Sequence, residues 1–309
     1  MAEILVTGGT GNLGRPTVAR LRARGHIVRI LTRGEGTPAD GGHPGEGQPA
    51  GVAESAEADG SRAADTHPDR AHPDRTHPER THPDRTFSDR AHLARGHLVH
   101  GDLVSGHGVA AAVDGVDTVI HLATTNGKRD VAATQHLIAA CEKAAVRHLI
   151  VISIVGVDEI PLGYYRAKLQ IESLVGQSTV PHTIVRVTQF HSFVARLFAF
   201  QRWSPVVFAP TFSFQPISVD DVAVRLTELA EGDAAGRVSD IGGPEQRTAR
   251  NLARAWAKAA SIKRPIWPLT LPGATFAGYA TGHNLVPGPP YGTTTFENYL
   301  ATRYDGTSH

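Results

Sequence analysis

Near its start the chain reads Thr7-Gly8-Gly9-Thr10-Gly11-Asn12-Leu13-Gly14, directly after a short apolar run and before an amphipathic stretch. The spacing T-G-x-x-G-x-x-G suits one task. Glycine at the first site permits a tight turn, at the second it lets the backbone approach a diphosphate, and at the third it lets a helix pack close. Unpaired N–H groups and the positive end of the helix dipole then face the phosphates. The turn therefore predicts a bound dinucleotide in contact with Thr7, Gly8, Thr10, Gly11, Asn12, Leu13 and Gly14. About 20 residues further on, an acidic side chain commonly binds the ribose 2′-hydroxyl of NAD. Here that slot reads Leu31-Thr32-Arg33. The Arg33 guanidinium offers a fork of donors to a 2′-phosphate, which favours NADP, while the nearby Glu35 keeps NAD open.

A second chemical pattern is Tyr164 with Lys168, a spacing that puts both side chains on one face of a helix, one turn apart. A free phenol, with a pKa near 10, relays protons poorly at neutral pH. A neighbouring ammonium favours the phenolate and moves the group towards the useful range. Tyr165 takes over this position if the helix register slips by a residue. Gln189, Phe190 and His191 follow a later strand, where a parallel sheet turns its carboxyl edge to ligands. The aromatics Phe193, Phe198, Phe200 and Trp203 offer either a greasy substrate pocket or simple packing. Asp220 and Asp221 open a helix whose positive end welcomes carboxylates, so they read as caps.

These residues need a parallel α/β frame. Ile4–Val6 is a strand, Thr17–Arg24 a helix closed by Gly25, and Ile27–Leu31 a second strand. Order resumes at His97–His100, followed by strands at Val116–Leu122, Leu149–Val155 and His182–Val187, with helices at Asp130–Ala145 and Tyr164–Val175. The expected class is an α/β, Rossmann-type doubly wound parallel sheet. Residues 1–33 and 97–190 form its dinucleotide-binding domain, and 191–309 form a small C-terminal substrate lobe. Residues 34–96 are a low-complexity insertion with almost no large apolar side chains. Inside it a five-residue unit recurs as Thr66-His67-Pro68-Asp69-Arg70, Ala71-His72-Pro73-Asp74-Arg75, Thr76-His77-Pro78-Glu79-Arg80 and Thr81-His82-Pro83-Asp84-Arg85. Such a stretch cannot build a core and is expected to be disordered. A metal-binding tract is the sharper alternative, but a ladder of single histidines lacks a pre-arranged cage.

Of the 309 residues 40% are hydrophobic, enough for a proper core. The formal net charge of +1 leaves no overall footprint for nucleic acid or membrane. A lone cysteine, Cys141, excludes an internal disulfide framework and fits a reducing compartment, so the cytoplasm is expected.

Taken together, the chain resembles an atypical short-chain dehydrogenase/reductase of the NmrA-like, NAD(P)-binding group. The likeness is carried by Thr7–Gly14, Gly101-Asp102-Leu103, His121-Leu122-Ala123-Thr124, Tyr164-Tyr165-Arg166-Ala167-Lys168, Val185–Phe190, Gln215–Ala223 and Gly242-Gly243-Pro244. It implies that Asp102 and Leu103 lie beside the adenine, and Ala123 and Thr124 beside the adenosine ribose and phosphates. It further implies that Tyr164 is the catalytic acid, that Lys168 holds the nicotinamide ribose, and that a Ser or Thr after the fifth strand polarises the substrate carbonyl. Ser153 is the residue on offer, either at the mouth of that strand or as a hydrogen-bonded serine within it. The expected activity is NAD(P)H-dependent hydride transfer to a small, fairly apolar carbonyl or quinone-like compound by a monomer or homodimer. Two other readings stay open: a non-catalytic NAD(P)-sensing regulator, and a sugar-nucleotide epimerase, for which the last third lacks a clear basic cluster.

Overall fold

Ile4, Leu5 and Val6 are all fully buried, so the first strand lies at the centre of a sheet covered on both faces. In the computed structural model, which describes residues 1–33, 97–125 and 127–304, this is β1 (Glu3–Thr7). With β2 (Ile27–Thr32), β3 (Leu98–His100), β4 (Thr118–His121), β5 (His148–Ile154), β6 (His182–Val187) and β9 (Gly236–Arg237) it makes a seven-stranded sheet in the order β3-β2-β1-β4-β5-β6-β9. All six pairings are parallel. The chain winds outward from β1 to β3, then crosses back to place β4 on the other side of β1. At such a switch point the carboxyl ends of β1 and β4 leave a crevice for a ligand. The His-Pro-Asp-Arg repeats and the disorder expected for 34–96 lie outside the described residues.

One face of the sheet is covered by α2 (Val109–Val113), α3 (Arg129–Lys143) and α4 (Gly163–Gln177), in a core that joins Leu5, Val119, Leu149 and Val151 to Leu137, Cys141, Ile171 and Val175. The opposite face carries α1 (Gly14–Ala23) and α6 (Val219–Glu231). There Ile4, Val6 and Ile120 meet Val18 and Leu21 of α1 and Val222 and Leu226 of α6. Helix α1 starts three residues before the expected Thr17, because Gly14, the last glycine of the turn, is already helical.

The chain beyond residue 190 divides its elements. Helix α6 and strand β9 return to the sheet, since the apolar face of α1 needs a neighbour on that side. The remainder, α5 (His191–Ala199), β7 (Val207–Pro210), β8 (Ser213–Phe214), β10 (Arg247–Thr248), α7 (Ala249–Ala259), β11 (Ile266–Leu269), α8 (Ala274–Ala280) and α9 (Phe296–Tyr304), is built mainly around its own core of Val194, Phe198, Leu252, Trp256 and Phe296. The cap of α6 also differs from expectation. Ser218 supplies it, its hydroxyl accepting from the Asp220 amide at 3.1 Å, while the Asp221 carboxylate accepts from the Thr293 and Thr294 amides and so ties down the C-terminal segment. Among the described residues, no helix is long and apolar enough to cross a membrane.

Candidate active site

Residues from the carboxyl ends of β1, β2, β4, β5 and β6 line one cleft of about 870 Å³. At its floor the glycine-rich turn divides its labour as the spacing predicts. Gly8 has φ +70°, and a Cβ there would sit 2.8 Å from the Ala123 nitrogen. A Cβ on Gly14 would fall 2.1 Å from the Gly8 carbonyl oxygen, so the helix start packs directly on the turn. At Gly11 a Cβ would meet only that same oxygen, at 3.2 Å, and would otherwise project into open space. This bare strip of backbone, at the amino end of α1, is a cradle fitted to a diphosphate.

Gly8, Thr10, Gly11, Asn12, Leu13 and Gly14 all line the cleft, but Thr7 does not. Thr7 is fully buried beneath the turn, where its hydroxyl accepts from the Leu122 and Ala123 amides and bonds His121 Nδ1 at 2.8 Å. The expected contact is thus a brace between β1 and β4. Arg33, Asp102, Leu103, Ala123 and Thr124 all reach the cleft. The Val104 amide donates to Asp102 at 3.1 Å and, with the nearby Arg33 charge as a smaller contribution, holds that carboxyl below the usual range.

His121 completes the brace, with Nε2 3.2 Å from the Thr134 hydroxyl. Burial, helped by the Lys168 charge, lowers its pKa from 6.5 to about 3. Between these values the unfolded chain takes up a proton that the folded one refuses, so stability falls as the pH drops through this window. His191, lowered to about 4 mainly by burial, acts in the same direction. The melting temperature is expected to fall steadily from pH 6.5 towards 4, and His121→Gln should flatten part of that slope in pH-resolved calorimetry.

Tyr164, Lys168 and Ser153 come together in the same cleft. Their electrostatics differ from the expected pattern. The Lys168 ammonium is buried, reaches the Ile152 carbonyl at 3.4 Å, and feels the charges of Asp130 and Glu172. Burial lowers its pKa, and the two carboxylates partly offset this. The Tyr164 phenol is pushed upward by burial, against a hydrogen bond with Thr124 and with a further upward push from Asp130. Burial and Asp130, not Lys168, set the direction of the Tyr164 shift, and Asp130 is a carboxylate that sequence reasoning missed. Asp130 is almost fully buried at the start of α3, where it accepts hydrogen bonds from the hydroxyls of Thr124 and Thr125 and from the Thr125 amide. Burial raises its carboxyl, but those bonds and the Lys168 charge outweigh it and hold the group ionised. An acid in the first turn of a helix was the available signal, and it reads equally well as an ordinary dipole partner.

Ser153 is the penultimate residue of β5 and 3% exposed, with its hydroxyl unpartnered. A buried orphan hydroxyl on a cleft wall marks a position that a ligand can satisfy. Tyr165 also lines the cleft but is more deeply buried than Tyr164, and its hydroxyl lies 2.9 Å from that of Tyr279 on α8. Gln189, whose side-chain amide donates to the Asn284 carbonyl at 3.5 Å, lines the same wall, its own carbonyl oxygen buried without a partner. Phe190 and Phe193 line the cleft, whereas Phe198 belongs to the core of the outer lobe and Phe200 and Trp203 are exposed.

A sequence profile of the NAD(P)H-binding family matches residues 81–233. It begins after the glycine-rich turn, so the cradle's geometry is independent support. No curated protein matches the chain in sequence. Among solved structures, a nucleoside-diphosphate-sugar epimerase from Staphylococcus aureus superposes with a TM-score of 0.68 at 15% identity, over 96% of this chain and 99% of that one. An NADPH-dependent quinone oxidoreductase from Escherichia coli, complexed with NADPH, gives 0.67 at 14% identity, over 97% and 99%. The triphenylmethane reductase of Citrobacter sp., complexed with NADP(H), gives 0.65 at 13% identity, over 97% and 99%. At such identities the likeness is one of fold.

Proposed function

We propose that the chain is an NADPH-preferring oxidoreductase acting on a small, fairly apolar carbonyl or quinone-like compound, a reading supported by the match of residues 81–233 to the NAD(P)H-binding family and by the Rossmann-type parallel sheet. The carrying observation is the buried, unpartnered Ser153 hydroxyl, which shares one cleft with the glycine cradle, Tyr164 and Lys168. A nicotinamide dinucleotide, when bound, supplies the hydride. The turn from Gly8 to Gly14 holds its diphosphate, Arg33 its 2′-phosphate, and Asp102, Leu103, Ala123 and Thr124 its adenosine half. Ser153 donates a hydrogen bond to the substrate oxygen. Tyr164 gives that oxygen its proton as negative charge develops there, and its raised pKa keeps the phenol protonated for the purpose. Lys168 positions the ribose, with Asp130 balancing its charge. The substrate thus gains a hydride on carbon and a proton on oxygen. This reading takes the protein as a cytoplasmic monomer or homodimer.

One observation favours the sensing alternative. Lys168 feels the Asp130 charge, and the surroundings of the Tyr164 phenol raise its pKa, which suits a protein that binds the dinucleotide without turning it over. Calorimetric titration with NADPH and NADH, followed by turnover assays, separates the two. Arg33→Ala should weaken NADPH by about tenfold and leave NADH unchanged, the scale of one charge-assisted hydrogen bond. Equal loss for both dinucleotides overturns the 2′-phosphate assignment.

A further inference from the structure

The charge balance of the whole chain, 31 basic against 30 acidic residues, hides a local imbalance. From Glu172 to Asp220 and again from Glu245 to Glu297, no acidic residue intervenes, while Arg196, Arg202, Arg254, Lys258, Lys263 and Arg264 fall in these stretches. Among the described residues, the same stretches carry strongly exposed aromatic rings: Trp203 is 86% exposed, Phe200 71% and Trp267 56%.

These rings belong to one surface. Strands β7 and β11 pair so that Phe208 and Trp267 are register partners, both exposed, with buried Val207 and Ala209 flanking Phe208. The turn after α5 is fastened to that pair from two sides. The Gln201 side chain bonds the Phe208 backbone in both directions, at 3.0 and 2.7 Å, and the Arg264 guanidinium donates to the Gln201 and Ser204 carbonyls at 2.6 and 2.7 Å. Trp203 is therefore held out from an anchored turn, with the Arg202 guanidinium 5.3 Å from the centre of its ring.

We propose that this surface docks reversibly on an anionic lipid bilayer, with Phe200, Trp203 and Trp267 entering the interface and Arg202 and Lys263 facing the headgroups. Tryptophan suits the headgroup level because its ring is apolar with one polar edge. Basic residues near an anionic leaflet add attraction, each by roughly fivefold. Charge selects this occupant over a second copy of the chain, since two such basic faces repel across a two-fold axis. Whole-chain neutrality, which argued against a membrane footprint, averages the imbalance away. Helix α5 links the surface to the cleft, whose wall includes Phe193 and Arg196 from its first two turns. Under the proposed reductase reading, docking would present the cleft mouth to lipophilic substrate dissolved in the bilayer. The docking itself does not depend on that reading.

The test is co-sedimentation of the full chain with phosphatidylcholine vesicles, with and without phosphatidylglycerol, at low and high salt. Partition onto phosphatidylglycerol vesicles is expected, suppressed by salt and accompanied by a blue shift in fluorescence from the exposed tryptophans, with buried Trp256 as a constant background. W203A/W267A should reduce partition at least tenfold, given the apolar area each ring withdraws from water. R202E/K263E should remove the dependence on phosphatidylglycerol, and both variants should melt as the wild type does because the positions are exposed. No partition of the wild type, or equal partition of all three proteins, overturns the proposal. So does a wild-type dimer that W203A/W267A converts to monomer without any vesicle-bound fraction. None of these readouts uses catalysis, so a failed reductase assay leaves the outcome intact.

Discussion

Tyr164→Phe is expected to lower turnover on every active carbonyl or quinone by about 100- to 10,000-fold, the range of a lost general acid, while NADPH affinity stays unchanged. The separation of the two effects follows from position. Tyr164 stands in the cleft wall beside Thr124 and Asp130, and the glycine-rich cradle proposed for the diphosphate lies on a different element. The raised phenol pKa adds a second signature. A group that stays protonated beyond the ordinary tyrosine range keeps the reduction rate flat through neutral and mildly alkaline pH. Steady-state NADPH oxidation over a carbonyl and quinone panel, repeated across pH, reads both. Full turnover by the variant on every substrate would remove Tyr164 from the mechanism, and turnover by neither protein despite tight NADPH binding would leave the sensing role.

The second large effect lies in the cradle. Gly14→Ala places a methyl 2.1 Å from the Gly8 carbonyl and close to the Gly9 backbone. Neither neighbour is a flexible side chain, so either the turn opens or the first turn of α1 moves away from β1. Overpacking of this kind costs about 1–3 kcal/mol, and the displaced amides no longer converge on the phosphates. The expected result is a lower melting temperature together with a loss of affinity of at least tenfold for NADPH and NADH alike. Because the damage is to the diphosphate seat, the ratio between the two dinucleotides should hold, in contrast with Arg33→Ala. Calorimetric titration distinguishes the patterns directly.

The sheet was largely legible in the sequence because its strands are buried on both faces. Runs such as Ile4–Val6 and Leu149–Val155 can then be recognised from composition alone, and the glycine spacing fixes the first turn. What escaped depends on contacts between distant segments. Asp130 and Lys168 come within electrostatic reach only once α3 and α4 lie side by side, and no spacing announces this. The same holds for Tyr165 and Tyr279, which are separated by 114 residues and joined by a hydroxyl contact. The return of α6 and β9 to the sheet was hidden too, because the amphipathic face of α6 would serve equally well in a separate lobe.

Helix α4 bears Tyr164, Lys168 and Glu172 at successive turns of one face. Glu172 receives both the Nε and an Nη of Arg186 on β6, at 2.9 and 2.8 Å, and Asp158 takes the other Nη at 2.8 Å. This fork acts as a keyway: a planar guanidinium gripping a carboxylate at two points sets the azimuth of the whole cylinder. Twisting α4 far enough to trade Tyr164 for Tyr165, about 100°, would tear that grip apart in a site shielded from water. The direction in which both adjacent phenols face the cleft is thus set two turns away, by an arginine outside the cleft lining.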